Sequence, residues 1–474
     1  MLFNSFTFAI FFVVVLVFHN LPVSWQLKKL GLLVASWLFY AAWNPPFVVL
    51  LWVSTGVDWF CARALGRADA PRKRKWLLAI SIAANMGLLG YFKYGAFLTE
   101  SVSTAVAWLG FDLPPTRPSI ILPVGISFYT FQTLSYTADV YRGNIRPWPR
   151  FLDYALYVSF FPQLVAGPIV RAGRFLPQCV DEKRTTRNGL SWGLSLLVLG
   201  LFEKVVLADA LLAPVVDRVY GSGDPTTFVE SWTGTLAFAG QLFCDFAGYS
   251  TCAIGAAACL GFSLPRNFRF PFAAIGFSDF WQRWHISLSS WLRDYIYIPL
   301  GGSRRGRGRT YVNALVTMLL GGLWHGASWT FVAWGAALGF LVALEGALHR
   351  LIPIEVARQP AWIQLGLALL TFGALCPTFT LFRSGGFGQA RTMLASMGGI
   401  VSASAVSVLS AREVTTVVAI TAVILSCHWV MRHSTLESLA GRTPWWARSV
   451  ALAAMILALL AIPVENRAFV YFQF

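Results

Sequence analysis

Two Trp-His pairs, Trp284-His285 and Trp324-His325, lie 40 residues apart in stretches dominated by Leu, Trp, Gly and Phe. An imidazole takes up or releases a proton near neutral pH, so a histidine there is suited to general acid-base work. At membrane depth an ionised side chain costs roughly 2.5 kcal/mol or more, and by default it marks a functional site. The chemistry is therefore sought at His285 and His325, and the rest of the chain must supply the elements that hold them.

Those elements belong to a membrane. Of 474 residues, 57% are hydrophobic and 12% charged, where a soluble domain carries about a quarter charged residues; mean hydropathy is +0.62. A spanning helix needs about 20 apolar residues, and such stretches recur from Leu2–Phe18 to Ala447–Ile462. The expectation is an all-α, polytopic integral membrane protein with roughly ten to twelve membrane-embedded helices. The hydrophilic connections stay too short to bury a core of their own, so residues 1–474 read as a single integral-membrane domain.

The net charge of +16 comes from Lys and Arg in short loops between apolar runs. That pattern excludes a nucleic-acid partner and follows the positive-inside rule. Arg63–Lys75, Arg171–Arg187 and Arg304–Arg309 are thereby placed in the cytoplasm, and the amino terminus outside. Asn44-Pro45-Pro46 interrupts the apolar run between Lys28-Lys29 and Arg63, as a helical hairpin requires. Leu2–Phe18 lacks a charged leader and a small-residue cleavage site, so it reads as a retained first helix. Turn signals stand at Pro114-Pro115, Pro147–Pro149, Gly221–Pro225, Gly301-Gly302 and Gly385-Gly386. The seven cysteines form no CxxC or Cys/His pattern, and no metal site is expected. Cys244, Cys252 and Cys259 share one helix face as small contact residues.

The first histidine lies in Asp279-Phe-Trp-Gln-Arg-Trp-His-Ile-Ser-Leu-Ser-Ser-Trp-Leu-Arg-Asp-Tyr. Trp281, Trp284, Leu288, Trp291 and Tyr295 recur at spacings of three and four, which predicts one amphipathic helix. Asp279 can pair with Arg283, and Ser289 falls four residues after His285. Lipid does not tolerate such polarity all round, so a re-entrant or interfacial element beside a cavity is expected. The second histidine lies in Gly-Gly-Leu-Trp-His-Gly-Ala, where Gly321, Gly322 and Gly326 admit a second backbone or a thin ligand. Gln163, Gln241, Asp245 and Asn313 read as interhelical hydrogen-bonders as readily as ligand contacts.

Both histidine motifs resemble the membrane-bound O-acyltransferase family, in particular its bacterial alginate O-acetyltransferase branch. The first continues through Ile-Tyr-Ile-Pro-Leu-Gly-Gly. Similar stretches are Tyr91-Phe-Lys-Tyr, Leu122-Pro-Val-Gly-Ile-Ser-Phe-Tyr-Thr-Phe-Gln, Phe161-Pro-Gln-Leu-Val-Ala-Gly-Pro-Ile-Val-Arg, Gln241-Leu-Phe-Cys-Asp-Phe-Ala-Gly-Tyr-Ser and the terminal Val470-Tyr-Phe-Gln-Phe. The resemblance implies helices around a central catalytic tunnel, with His325 as the catalytic histidine and His285 as a second active-site residue. It also implies acetyl-CoA as the acyl donor, with no tightly bound cofactor. The acetyl group would pass to a periplasmic SGNH-type, hydrolase-like acceptor protein and then to an exported polysaccharide, across a bacterial inner membrane.

The chemistry of the residues fits that division. Acetyl transfer from a thioester to a hydroxyl needs a base that removes the hydroxyl proton and returns one to the leaving thiolate, which neutral imidazole can do. His285 can donate to the thioester carbonyl or orient the acceptor, with Ser289 fixing its tautomer. Alternatively, it anchors the element to a nearby carbonyl. Arg304, Arg305, Arg307 and Arg309 lie closest in sequence to both motifs, although any cytoplasmic loop would look alike. Acylation of peptidoglycan, cellulose or teichoic acid by the same chemistry remains open. A transporter or flippase is the rival class, disfavoured by the absence of duplicated halves; a scaffold for a secretion complex is a third.

Overall fold

The computed structural model describes residues 1–111, 120–223, 225–352, 355–401 and 407–462, with Arg467 and Phe469. The turn expected at Pro114-Pro115 and the Val470 motif lie outside the described residues. Every regular element described is helical, as the composition predicts. Among the described residues six helices are long and apolar enough to cross a membrane: Pro45–Leu65, Pro71–Phe92, Phe228–Cys259, Trp329–Leu351, Ala361–Arg383 and Ala411–Val430. Phe6–Asn20 and Trp445–Ala461 are shorter apolar helices. The chain divides into two compact units.

Unit 1 comprises Met1–Leu197 and Cys252–Pro265. It contains α1 (Phe6–Asn20), α2 (Trp25–Ala41), α3 (Val48–Leu65), α4 (Pro71–Phe92), α5 (Gly95–Trp108), α6 (Ile126–Arg142), α7 (Phe151–Ser159), α8 (Phe161–Leu164) and α9 (Ala172–Phe175). Ser5 and Ser24 cap α1 and α2 by accepting from the amides of Phe8 and Leu27. The Asn44-Pro45-Pro46 break forms as expected, with a 3₁₀ turn over Pro45–Phe47. α6 starts at Gly125 (φ +77°), where a Cβ would meet the Leu164 carbonyl at 2.7 Å, so only glycine lets the two segments approach. Gln163 sits where Pro162 and Gly167-Pro168 break the helix, and its amide donates to the Tyr157 carbonyl at 2.7 Å.

Three features bury charge or polarity in unit 1. Lys29 donates to Asp153, Lys28 to Glu182 at 2.8 Å, and Ser81, Thr137 and Asn85 donate to Asp58 where α3 packs on α4 and α6. Glu182 lies in a loop, and its hydrogen bond from Lys28 lowers its carboxyl pKa. The two lysines that mark topology in the sequence are thus also ion-pair partners.

Unit 2 comprises Val198–Thr251 and Arg266–Phe474. α10 (Arg187–Leu201) enters it and widens into a π-helix over Phe202–Leu212, followed by α11 (Ala213–Gly221) and α12 (Phe228–Cys259). Lys204 of the π-helix pairs with Asp209 at 2.9 Å and with Asp245 of α12. Beyond them come α13 (Phe277–Arg283), α14 (Ile286–Leu292), a π turn over Arg293–Tyr297, α15 (Arg307–His325) and α16 (Trp329–Leu351). The unit ends with α17 (Ala361–Arg383), α18 (Phe387–Met397), α19 (Ala411–Val430), α20 (Leu436–Arg442) and α21 (Trp445–Ala461).

The apolar run from Tyr311 to Leu344 folds as the α15–α16 hairpin, turning at Gly326–Ser328. A Cβ on Gly322 would meet the Phe331 carbonyl at 2.3 Å, so Gly322 admits a second backbone, one of the two roles read from the sequence, while Gly321 and Gly326 face the side chains of Leu292 and Phe331. Asn313 donates to the Gly302 carbonyl at 2.9 Å and fastens the preceding loop to α15.

Candidate active site

The expected single helix through Asp279–Tyr295 is broken. α13 stops at Arg283, α14 starts at Ile286, and His285 between them has φ +43° and ψ +53°. The aromatic periodicity survives because the break preserves which side of each short helix is buried: Trp281, Trp284, Leu288 and Trp291 are all buried. Ser289 does not orient His285. Its hydroxyl donates to the Trp284 carbonyl at 3.0 Å, and its amide to the His285 carbonyl at 2.9 Å.

Unit 2 brings the two histidines together. Their ring centroids are 6.1 Å apart, with His285 0% and His325 2% exposed. His325, the last residue of α15, meets Trp334 of α16 edge to face at 5.1 Å and Phe382 of α17 at 5.7 Å. His285 meets Phe246 of α12 edge to face at 4.5 Å and Trp324 at 5.5 Å. A sleeve of rings from four helices thus excludes water from the two imidazoles, which strengthens every electrostatic interaction inside it. Burial lowers the pKa of His285, which lies outside the six spanning helices, and keeps its ring neutral.

Polar contacts fasten the arm that carries His285. Arg283 donates to Asp279 at 2.7 Å, the pair expected from their spacing, and to the Arg432 carbonyl at 3.2 Å. Glu345 accepts from the amide and hydroxyl of Ser278 at 2.8 and 3.0 Å, capping the start of α13. Just upstream, the Phe272 amide donates to Nδ1 of His428 at 3.2 Å. Sequence reading did not single out Glu345, His428 or Arg432. Their partners lie 67 to 156 residues away, and no local spacing signals such contacts.

Beside this arm lies a cavity of about 610 Å³, lined by residues that include Trp281, Ile286, Arg293, Tyr311, Met318 and Arg350. Trp281 in its wall is 6.2 Å from Trp334, which in turn contacts His325. Arg350 stacks over Tyr311 at 5.4 Å. The cations at this cavity are therefore Arg293 and Arg350. Arg304, Arg305, Arg307 and Arg309 are exposed and do not line it. Arg293 also pairs with Asp294 at 2.8 Å. Gln241 and Asp245 stand on α12, with Asp245 engaged by Lys204.

Residues 144–374 match the sequence profile of the membrane-bound O-acyltransferase family. The chain is 40% identical over 338 residues to the probable alginate O-acetylase AlgI of Azotobacter vinelandii, an alignment covering 71% of this chain and 67% of that protein. It is 38% identical over 359 residues to the probable alginate O-acetylase AlgI of Pseudomonas aeruginosa, covering 75% and 67%. To the peptidoglycan O-acetyltransferase of Helicobacter pylori it is 35% identical over 403 residues, covering 78% and 74%.

Proposed function

We propose that this chain, which belongs to the membrane-bound O-acyltransferase family, moves an acetyl group from cytoplasmic acetyl-CoA to a hydroxyl destined for an exported, alginate-type polysaccharide. It is a multi-pass membrane acyltransferase. The observation that carries the catalytic reading is the pair of imidazoles 6.1 Å apart inside an aromatic sleeve.

His325 is the general base. It takes the proton of the acceptor hydroxyl as the oxygen attacks the thioester carbonyl; the C–S bond then breaks, and the imidazolium returns the proton to the thiolate. The products are the ester and free CoA, with no net proton taken up. General-base assistance of this kind is worth typically 10²- to 10⁴-fold in rate. His285, neutral and hence a donor through one ring nitrogen, stabilises the oxyanion that develops on the carbonyl.

The donor enters by the cavity that Arg293 and Arg350 line. Guanidinium groups suit the phosphates of CoA, and the apolar wall around Trp281 suits its pantetheine arm. A tunnel from this side meets the acceptor from the periplasm, where an SGNH-type, hydrolase-like protein receives the acetyl group and passes it to the polysaccharide. The membrane is then the bacterial inner membrane. The relatives named alginate O-acetylase favour an alginate-type product; the relative named peptidoglycan O-acetyltransferase supports cell-wall glycan as the second reading.

Membranes containing the full chain, supplied with acetyl-labelled CoA, test this reading. Alkali-labile label is expected in exported uronic-acid polymer and is lost in His325→Ala. Label in peptidoglycan alone would select the second reading. Acetyl-CoA that crosses the membrane with its labelled thioester intact, with no ester formed, would establish a carrier and contradict the proposal.

A further inference from the structure

We infer that Asn267 is a positioning residue for His285, gripping the turn so that the imidazole stays in the site; this rests on the role proposed for His285. Left-handed backbone is unfavourable for an L-residue, and it persists only where the surroundings over-determine it. Among the described non-glycine residues, Phe270 and His285 have positive φ. They lie on two segments that run beside each other.

The over-determination is visible bond by bond. The Arg269 amide donates to the Arg283 carbonyl at 2.9 Å, and the Ile286 amide to the Asn267 carbonyl at 2.8 Å. The Asn267 side chain acts at the next residue: its Oδ1 accepts from the Ser287 hydroxyl at 2.7 Å and from the Ser287 amide at 3.3 Å. Its Nδ2 donates to Ser250 Oγ on α12 at 3.1 Å. Asn267 is 1% exposed, so no water replaces these partners. The amides of Ile286 and Ser287 are first-turn donors of α14, which a helix leaves without intrahelical acceptors; Asn267 satisfies both.

The anchor and the ring share a reference. Ser250 lies one helical turn beyond Phe246, whose ring packs edge to face on His285 at 4.5 Å. α12 therefore holds the clamp with one residue and the imidazole with the other, so His285 is located against the helix that bounds its pocket. Without the Asn267 side chain the main-chain bond to Ile286 remains, but Ser287 loses the Oδ1 of Asn267 and the hydrogen bond to Ser250 of α12 is gone. A misplacement of about 1 Å at a reacting centre costs up to 100-fold in rate.

The test is a double-mutant cycle on the purified full-length protein, reading CoA release from acetyl-CoA. Asn267→Ala is expected to lower kcat roughly tenfold or more while KM for acetyl-CoA stays within about twofold; it adds almost nothing in a His285→Ala background, because sites that act through one another are non-additive. Asn267→Asp keeps the acceptor for Ser287 and, in place of the Nδ2 donor, accepts from the Ser250 hydroxyl, so it recovers part of the rate. If Asn267→Ala fails to fold, Ser250→Ala, which removes only the anchor, takes its place in the cycle with the same expectation. Equal losses with and without His285, or an unchanged kcat, would overturn the positioning role while leaving His285 in place. Full activity in His285→Ala would overturn the role of His285 itself and the clamp with it.

Discussion

The carboxylate of Asp58 in unit 1 and the imidazole of His285 in unit 2 are both fully buried, yet they sit in opposite kinds of backbone. Asp58 lies in an uninterrupted spanning helix and accepts from Ser81, Thr137 and Asn85. Asn85 in turn accepts from Ser54 and Thr133. Donors surround the carboxyl group, and no residue of these helices is in left-handed backbone. His285 lies at a helix break in left-handed backbone, among aromatic rings. Polarity that joins helices can be saturated where it stands; polarity that reacts with a substrate has to be aimed, and the aiming distorts the chain. Lys29–Asp153 follows the Asp58 pattern, and His325 shares the aromatic surroundings of His285 but ends α15 without left-handed backbone.

Substitutions separate the two kinds. His325→Ala should have the largest effect on function: acetyl esters on the exported glycan fall by about 10²- to 10⁴-fold, while the purified protein keeps its thermal unfolding midpoint. A midpoint that drops with the activity would place His325 among the structural groups. Lys29→Ala should show the reverse, because it leaves Asp153 buried without its cation. Removing one member of a buried pair costs about 3–5 kcal/mol, so the folded yield collapses while CoA release per folded molecule holds. Asp58→Ala strips three donors of their acceptor, each loss worth about 1–3 kcal/mol. It should lower the midpoint clearly, again without changing the rate per folded molecule, and a changed rate would break the distinction. The smallest effect belongs to Lys28→Ala: Glu182 is 30% exposed, and a solvated pair contributes little to stability.

The same contrast explains what could be read before folding. His285 and His325 were legible because a titratable ring in an apolar run stands out at a single position. Pro45-Pro46 and Pro162 announced breaks because proline carries its constraint with it. The break at Trp284-His285 was not legible: the aromatic spacing of three and four continues across it, and the residue that holds the turn, Asn267, lies 18 positions upstream of His285. Lys28 and Lys29 read as topology markers, and their acids lie 154 and 124 residues away. The loop arginines Arg304, Arg305, Arg307 and Arg309 lie closest in sequence to both histidine motifs, whereas the cavity takes Arg293 and Arg350, which only the packing of α14 and the following turn with α15 and α16 brings together.

The most direct measurement is thioester cleavage by the full-length protein in detergent, with acetyl-CoA and an acceptor hydroxyl, comparing wild type with His325→Ala and His325→Gln at equal folded concentration. The account predicts acceptor-dependent CoA release in the wild type that falls at least about 100-fold in both variants, with acetyl-CoA binding retained. Release that persists in either variant, with the label still reaching the hydroxyl, would contradict it.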